Sequence, residues 1–177
     1  MGYVGLPLAL AFVEKGFSVL GFDVDQTKVE KLNRGEGYIK HLDGDRIAQA
    51  RATGRFEATV DFTRLAEADA ILICVPTPLG KHREPDISYI EKTAEAIAKY
   101  MRAGQLVILE STTYPGTTRE ELVPRFEAKG FTCGQDVFVA FSPEREDPGR
   151  KTHTTKSTPK LVGGLDAASS ELATLFF

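Results

Sequence analysis

Short apolar runs alternate with stretches in which apolar residues recur every three or four positions. That alternation predicts an α/β chain with a mostly parallel sheet. Leu6, Leu8, Leu10, Phe12 and Val13 mark a helix over residues 6–15, stopped at Gly16. Residues 18–23 read as a strand ending in Asp23, and a charged helix over 26–33 turns Val29 and Leu32 inward. A short helix over 43–52, a weak strand over 56–60 and a short helix over 61–68 lead to residues 70–75. That run, Ala-Ile-Leu-Ile-Cys-Val, is apolar throughout, as a strand covered on both faces should be. An amphipathic helix over 87–101, a strand over 106–110, a helix over 119–129 and a strand over 137–142 follow. The basic, Thr-rich residues 150–159 read as an exposed loop before a short strand over 160–163, and Asp166 caps a last helix. No internal repeat and no dividing linker is present, so residues 1–177 are expected to form one domain.

Polar motifs fall at the ends of these strands, where open α/β sheets place ligands. The chain opens on Gly2-Tyr-Val-Gly5, with the spacing of the second and third glycines of a G-x-G-x-x-G fingerprint. In that fingerprint the second glycine admits a pyrophosphate to the backbone, and the following helix offers free N–H groups and its positive dipole end. The first glycine and the strand before it are missing, and an ordinary glycine turn explains a lone G-x-x-G equally well. Asp23 lies 21 residues after Gly2 at the next strand's end, where an acid binds the adenosine ribose and repels a 2′-phosphate. A carboxylate there favours NAD over NADP. Asp23 also suits a helix N-cap, although Asp25 fits that task as well.

Three more constellations close later strands. Val75-Pro-Thr77-Pro offers a rigid loop with one hydroxyl. Glu110-Ser-Thr-Thr-Tyr-Pro-Gly-Thr-Thr118 clusters hydroxyls ahead of a helix; Thr117 or Thr118 with Glu120 or Glu121 matches a capping box, whereas Ser111 and Thr112 are site candidates. Ser142-Pro-Glu-Arg-Glu-Asp-Pro-Gly149 sets three carboxylates and a guanidinium in a proline-bounded turn. There Glu144 suits a general base and Arg145 an acidic ligand, against the plainer reading of a solvated charged turn.

Composition narrows the classes. With 22 basic and 25 acidic residues the net charge is −3, which argues against a general nucleic-acid binder. No apolar run nears the roughly 20 residues that span a bilayer, and the start lacks the basic region of a signal peptide. Two Cys are too few for a disulfide scaffold, which makes a reducing cytoplasm the expected location. The pair Cys74 and Cys133, with three scattered His, forms no metal-ligand spacing, so no metal is expected.

Gly2-Tyr-Val-Gly-Leu-Pro-Leu-Ala, Val75-Pro-Thr-Pro, Glu110-Ser-Thr and Ser142-Pro-Glu-Arg, in this order, resemble the UDP-glucose/GDP-mannose dehydrogenase family. The resemblance runs over essentially the whole chain. It implies a Rossmann-type NAD-binding domain, doubly wound and lacking its first strand here, with NAD as cofactor. It further implies oxidation of carbon 6 of a nucleotide-linked sugar to a carboxylate, through a thioester on a Cys. Carried over by position, Gly2, Tyr3 and Val4 match the pyrophosphate loop, Asp23 the ribose acid, and Lys28 a basic residue near the adenosine. Thr77 and Ser111 match cofactor-contacting positions, Thr112 the threonine that holds a water, and Glu144 the glutamate of thioester hydrolysis. Arg145 replaces the aromatic residue of the UDP-glucose and GDP-mannose enzymes, and so resembles the branch acting on UDP-N-acetylhexosamines, UDP-N-acetylglucosamine 6-dehydrogenase most closely. In that branch Arg145 and Glu146 are candidate substrate contacts. The family's nucleophilic Cys, central helical segment and C-terminal sugar-nucleotide domain have no counterpart here. The chain is therefore expected to be a fragment, inactive alone, of an enzyme that is a homodimer or larger. A non-catalytic dinucleotide-binding module and a 6-phosphogluconate-type dehydrogenase are the rival readings; the latter lacks Ser-Pro-Glu-Arg.

Overall fold

The computed structural model describes residues 1–40, 42, 44–80, 85–143 and 160–177. The chain divides into two compact units, Met1–Phe62 and Thr63–Phe177. The first unit contains α1 (Gly5–Glu14), β1 (Val19–Phe22), α2 (Gln26–Asn33), α3 (Gly44–Ala52) and β2 (Phe56–Thr59). β1 and β2 pair in parallel, with Val19 opposite Phe56 and Phe22 opposite Thr59. Their apolar side chains join Leu6, Leu10, Val29, Leu32 and Ile47 in one core. The Asn33 side chain donates to Ala58 O and accepts from Ala58 N–H, which fastens the end of α2 to β2.

The second unit contains β3 (Ala70–Ile73), α4 (Ser88–Tyr100), β4 (Leu106–Leu109), α5 (Val123–Glu127), β5 (Phe138–Phe141), β6 (Gly163–Gly164) and α6 (Ala167–Phe176). Its strands lie in the order β3-β4-β5-β6; the first three are parallel and β6 is antiparallel. β4 is buried at every position, the mark of a strand covered on both faces. On one face Ala173 and Phe176 of α6 pack against Leu106, Ile108 and Ala140. The opposite alternation of side chains, Val107, Leu109 and Val139, is fully buried as well.

The α/β reading with mostly parallel strands therefore holds, but the sheet hydrogen bonds form two ladders. No strand precedes α1 among the described residues. Other differences are local. Residues 62–67 wind as a 3-10 helix. The helix expected over 119–129 opens with a π turn over Thr118–Leu122 before α5, because Pro124 has no N–H to continue a regular α ladder. The last strand is two residues long and begins at Gly163. The 150–159 loop lies outside the described residues.

Candidate functional site

Within the first unit, the glycine turn and the first acid meet. The Met1 ammonium donates to Asp23 Oδ2 at 2.6 Å, which brings Asp23, one residue past β1, against the chain that leads into Gly2. Asp23 Oδ1 accepts from the Asp25 N–H at 2.9 Å, and Lys28 Nζ stands 3.8 Å from Oδ2. Burial pushes the Asp23 carboxyl up, but the ammonium, the Asp25 N–H and Lys28 together outweigh it and hold the group below the usual carboxylate range. Helix capping falls to Asp25, whose Oδ1 accepts from the N–H groups of Thr27 and Lys28. Asp23 is thereby left without a capping task. Tyr38 donates its phenol to Met1 O; burial and the nearby Asp23 and Asp25 charges raise its pKa and keep it a donor.

Gly2 is informative for what does not require it. Its φ is not left-handed, and a Cβ placed there meets nothing within 4 Å. Neither backbone strain nor packing explains glycine at this position. A Cβ there would stand in open space beside the helix start, where the N-cap Val4 supplies no side-chain hydrogen bond. An open, uncapped helix start beside an ionised Asp23 is a setting compatible with a dinucleotide. Tyr3 is exposed.

In the second unit the carboxyl ends of β3, β4 and β5 carry the other candidates. Ser111 is buried. Its hydroxyl donates to Val75 O at 2.7 Å, with Ile73 O at 3.3 Å, and accepts from the Val75 N–H at 2.9 Å. That hydroxyl serves the backbone of β3's extension and so shapes the Val75-Pro76-Thr77 turn. Thr112 is exposed and Thr77 half-buried, and neither hydroxyl has a hydrogen-bond partner among the described residues. Thr117 does not cap the following helix. It is buried and donates to Tyr114 O at 2.8 Å, so the 2.6 Å contact with Thr113 Oγ1 takes its proton from Thr113. The capping-box expectation fails because this turn consumes the hydroxyl.

Glu144, Arg145 and Glu146 lie outside the described residues. Just before them, Ser142 is fully buried and its hydroxyl has no partner among the described residues. One pair escaped the sequence reading: Glu110, with no exposed surface, accepts from Lys160 Nζ at 2.9 Å across 50 residues. An acid ending an apolar strand is a visible signal, but nothing local points to Lys160. Cys74 follows β3 rather than lying inside it, and burial together with Glu127 and Asp166 pushes the Cys133 thiol up to about 11. At that value Cys133 is a poor nucleophile near neutral pH.

A family model, the UDP-glucose/GDP-mannose dehydrogenase family NAD binding domain, matches residues 1–177. This chain belongs to the UDP-glucose/GDP-mannose dehydrogenase family. UDP-N-acetyl-D-glucosamine 6-dehydrogenase of Pseudomonas aeruginosa is 36% identical over 173 residues, 97% of this chain and 40% of that protein. UDP-N-acetyl-D-mannosamine dehydrogenase of Pyrococcus horikoshii is 34% identical over 174 residues, 98% of this chain and 41% of its own length. The solved NDP-N-acetyl-D-galactosaminuronic acid dehydrogenase of Methanosarcina mazei Go1 matches with a TM-score of 0.90 at 36% identity, over 98% of this chain and 39% of that one. The chain thus spans about two fifths of these family members, and the part it spans is the NAD-binding one. Among the described residues, no helix is long and apolar enough to cross a membrane.

Proposed function

We propose that this chain supplies the NAD-binding domain, residues 1–177, of a dehydrogenase that oxidises carbon 6 of a UDP-N-acetylhexosamine to the uronic acid. UDP-N-acetylglucosamine is the first substrate to test, supported by Arg145 in Ser142-Pro-Glu-Arg and by the likeness to the UDP-N-acetyl-D-glucosamine and UDP-N-acetyl-D-mannosamine dehydrogenases. The observation that carries the cofactor reading is the uncapped start of α1 behind Gly2, beside an Asp23 carboxylate that has no capping role. Bound NAD would supply the hydride acceptor. Gly2, Tyr3 and Val4 would hold its pyrophosphate through backbone N–H groups, Asp23 would accept from the ribose hydroxyls, and Lys28 would lie toward the adenosine.

Thr77 would contact the cofactor through its unengaged hydroxyl. Ser111 would set the shape of that loop through Val75, and Thr112, with an exposed hydroxyl, would orient a water together with Glu144. Arg145 and Glu146 would reach the sugar nucleotide. The nucleophilic Cys, the sugar-nucleotide domain and the contacts of a homodimer or larger assembly would lie outside residues 1–177, and the whole enzyme would work in the cytoplasm.

Calorimetric titration of the chain with NAD tests the cofactor part; one saturable site is expected, with NADP binding more weakly. Absence of NAD binding would sink it. Incubation with NAD and UDP-N-acetylglucosamine is expected to give no NADH absorbance, and turnover by this chain would overturn the placing of the nucleophile elsewhere.

A further inference from the structure

The Glu110–Lys160 ion pair has no part in the roles above, yet it sits where they converge. Glu110 is the residue after β4, and its carboxylate is wholly enclosed. Lys160 approaches from the segment leading to β6, its Nζ 2.9 Å from Glu110 Oε2 and 4.7 Å from the centre of the Phe177 ring. β6 is not a neighbour of β4; the sheet order places β5 between them. The pair thus links the end of β4 to the approach of a strand that is not its neighbour, while the ladder between β4 and β5 continues with the buried Ser142 donating its N–H to Leu109 O at 3.0 Å.

The next residue works in the opposite direction. Successive side chains of a strand point to opposite faces, and Ser111 ties β4 to β3 by its two hydrogen bonds with Val75. At the carboxyl edge of this sheet, consecutive residues are thus tied in two directions, Ser111 to the Val75 backbone and Glu110 to Lys160. Thr112 follows directly and is left exposed. A buried ion pair is a poor source of net stability, because the loss of hydration offsets the attraction. What it does provide is a defined geometry, since a fully buried carboxylate held at 2.9 Å by an ammonium cannot exchange that partner for water.

We propose that Glu110 and Lys160 are positioning residues that fix the β4 end, and through Ser111 and Thr112 the cofactor-facing turn of this chain. The inference rests on the proposed NAD role of that turn. Lys160→Met or Glu110→Gln alone leaves half of the pair enclosed without its partner and risks unfolding. The decisive variant is therefore Glu110→Met with Lys160→Met, which removes both charges and replaces them with packing groups of similar length. Its melting temperature is expected to stay near that of the parent while its Kd for NAD rises about tenfold. Lys160→Arg, which keeps the cation, is expected to retain most of the affinity.

The outcomes separate cleanly. A double variant that melts like the parent and binds NAD equally well overturns the positioning role and leaves the NAD reading intact. A double variant that loses melting temperature and affinity together, with no recovery in Lys160→Arg, makes the pair a structural element only and also overturns it. A parent chain that binds no NAD overturns the functional reading, and this inference with it.

Discussion

Asp23 and Asp25 are chemically identical and two positions apart, yet their surroundings give them separate work. Asp25 accepts from two N–H groups of α2, whereas Asp23 faces the Met1 ammonium and Lys28. Asp23→Asn removes the charge with little change of shape. NAD affinity is expected to fall about tenfold or more, as for a lost charge-assisted hydrogen bond, and discrimination against NADP should shrink; paired titrations measure both. The same carboxyl links stability to pH. Its folded pKa lies below its unfolded value of about 3.9, so its contribution is complete above that value and disappears as pH falls through the depressed folded pKa. Urea unfolding of the parent and the Asn variant should accordingly differ at pH 6 and converge toward pH 3. A constant difference over that range would remove Asp23 as the titrating group.

Elements in the second unit meet at distances that only glycine allows. At Gly164 of β6 an added Cβ would lie 2.1 Å from Ser170 N, a backbone atom of α6. The Gly164 N–H also donates to Ser170 Oγ at 3.0 Å. Gly164→Ala must therefore push α6 away from the sheet, disturbing the contacts of Ala173 and Phe176 with Leu106, Ile108 and Ala140. A loss of about 1–3 kcal/mol is expected, the usual cost of overpacking. Gly44→Ala is the control: a Cβ there meets nothing within 4 Å and φ is not left-handed, so a change within about 0.5 kcal/mol is expected. Thermal or urea unfolding distinguishes the two, and equal stabilities would contradict the close approach of α6. The sequence showed a strand, a Gly-Gly pair and an Asp-capped helix in this region. It did not show that Gly164 marks the contact with that helix while Gly163 faces open space, because the two positions look alike until the fold places Ser170 against one of them.

At the scale of the whole molecule each unit carries its own proposed residues, Gly2 and Asp23 toward the cofactor in the first, and in the second Thr77 toward the cofactor and Thr112 toward a water. Hydrogen exchange with and without NAD tests that distribution. At a hundredfold excess of NAD over Kd, binding adds about 2.7 kcal/mol to the unfolding free energy of whatever it holds. Slower exchange is expected at the start of α1, at the end of β1 and at the ends of β3 and β4. Protection confined to residues 63–177 would contradict the assignment of Gly2 and Asp23.

The α/β class, most element positions and the order of the four motifs were legible along the chain, because hydrophobic period and turn chemistry are local properties. The family followed from those motifs for the same reason: each is contiguous. Tertiary structure decided what contiguity cannot express. It assigned the cap to Asp25 rather than Asp23, and it turned the Thr117 hydroxyl inward to Tyr114 instead of onto a helix. It committed Ser111 to Val75 and joined Glu110 to Lys160 across 50 residues. A hydroxyl or carboxylate takes its role from the partner within about 3 Å, and in a parallel sheet such partners come from strands far apart in sequence.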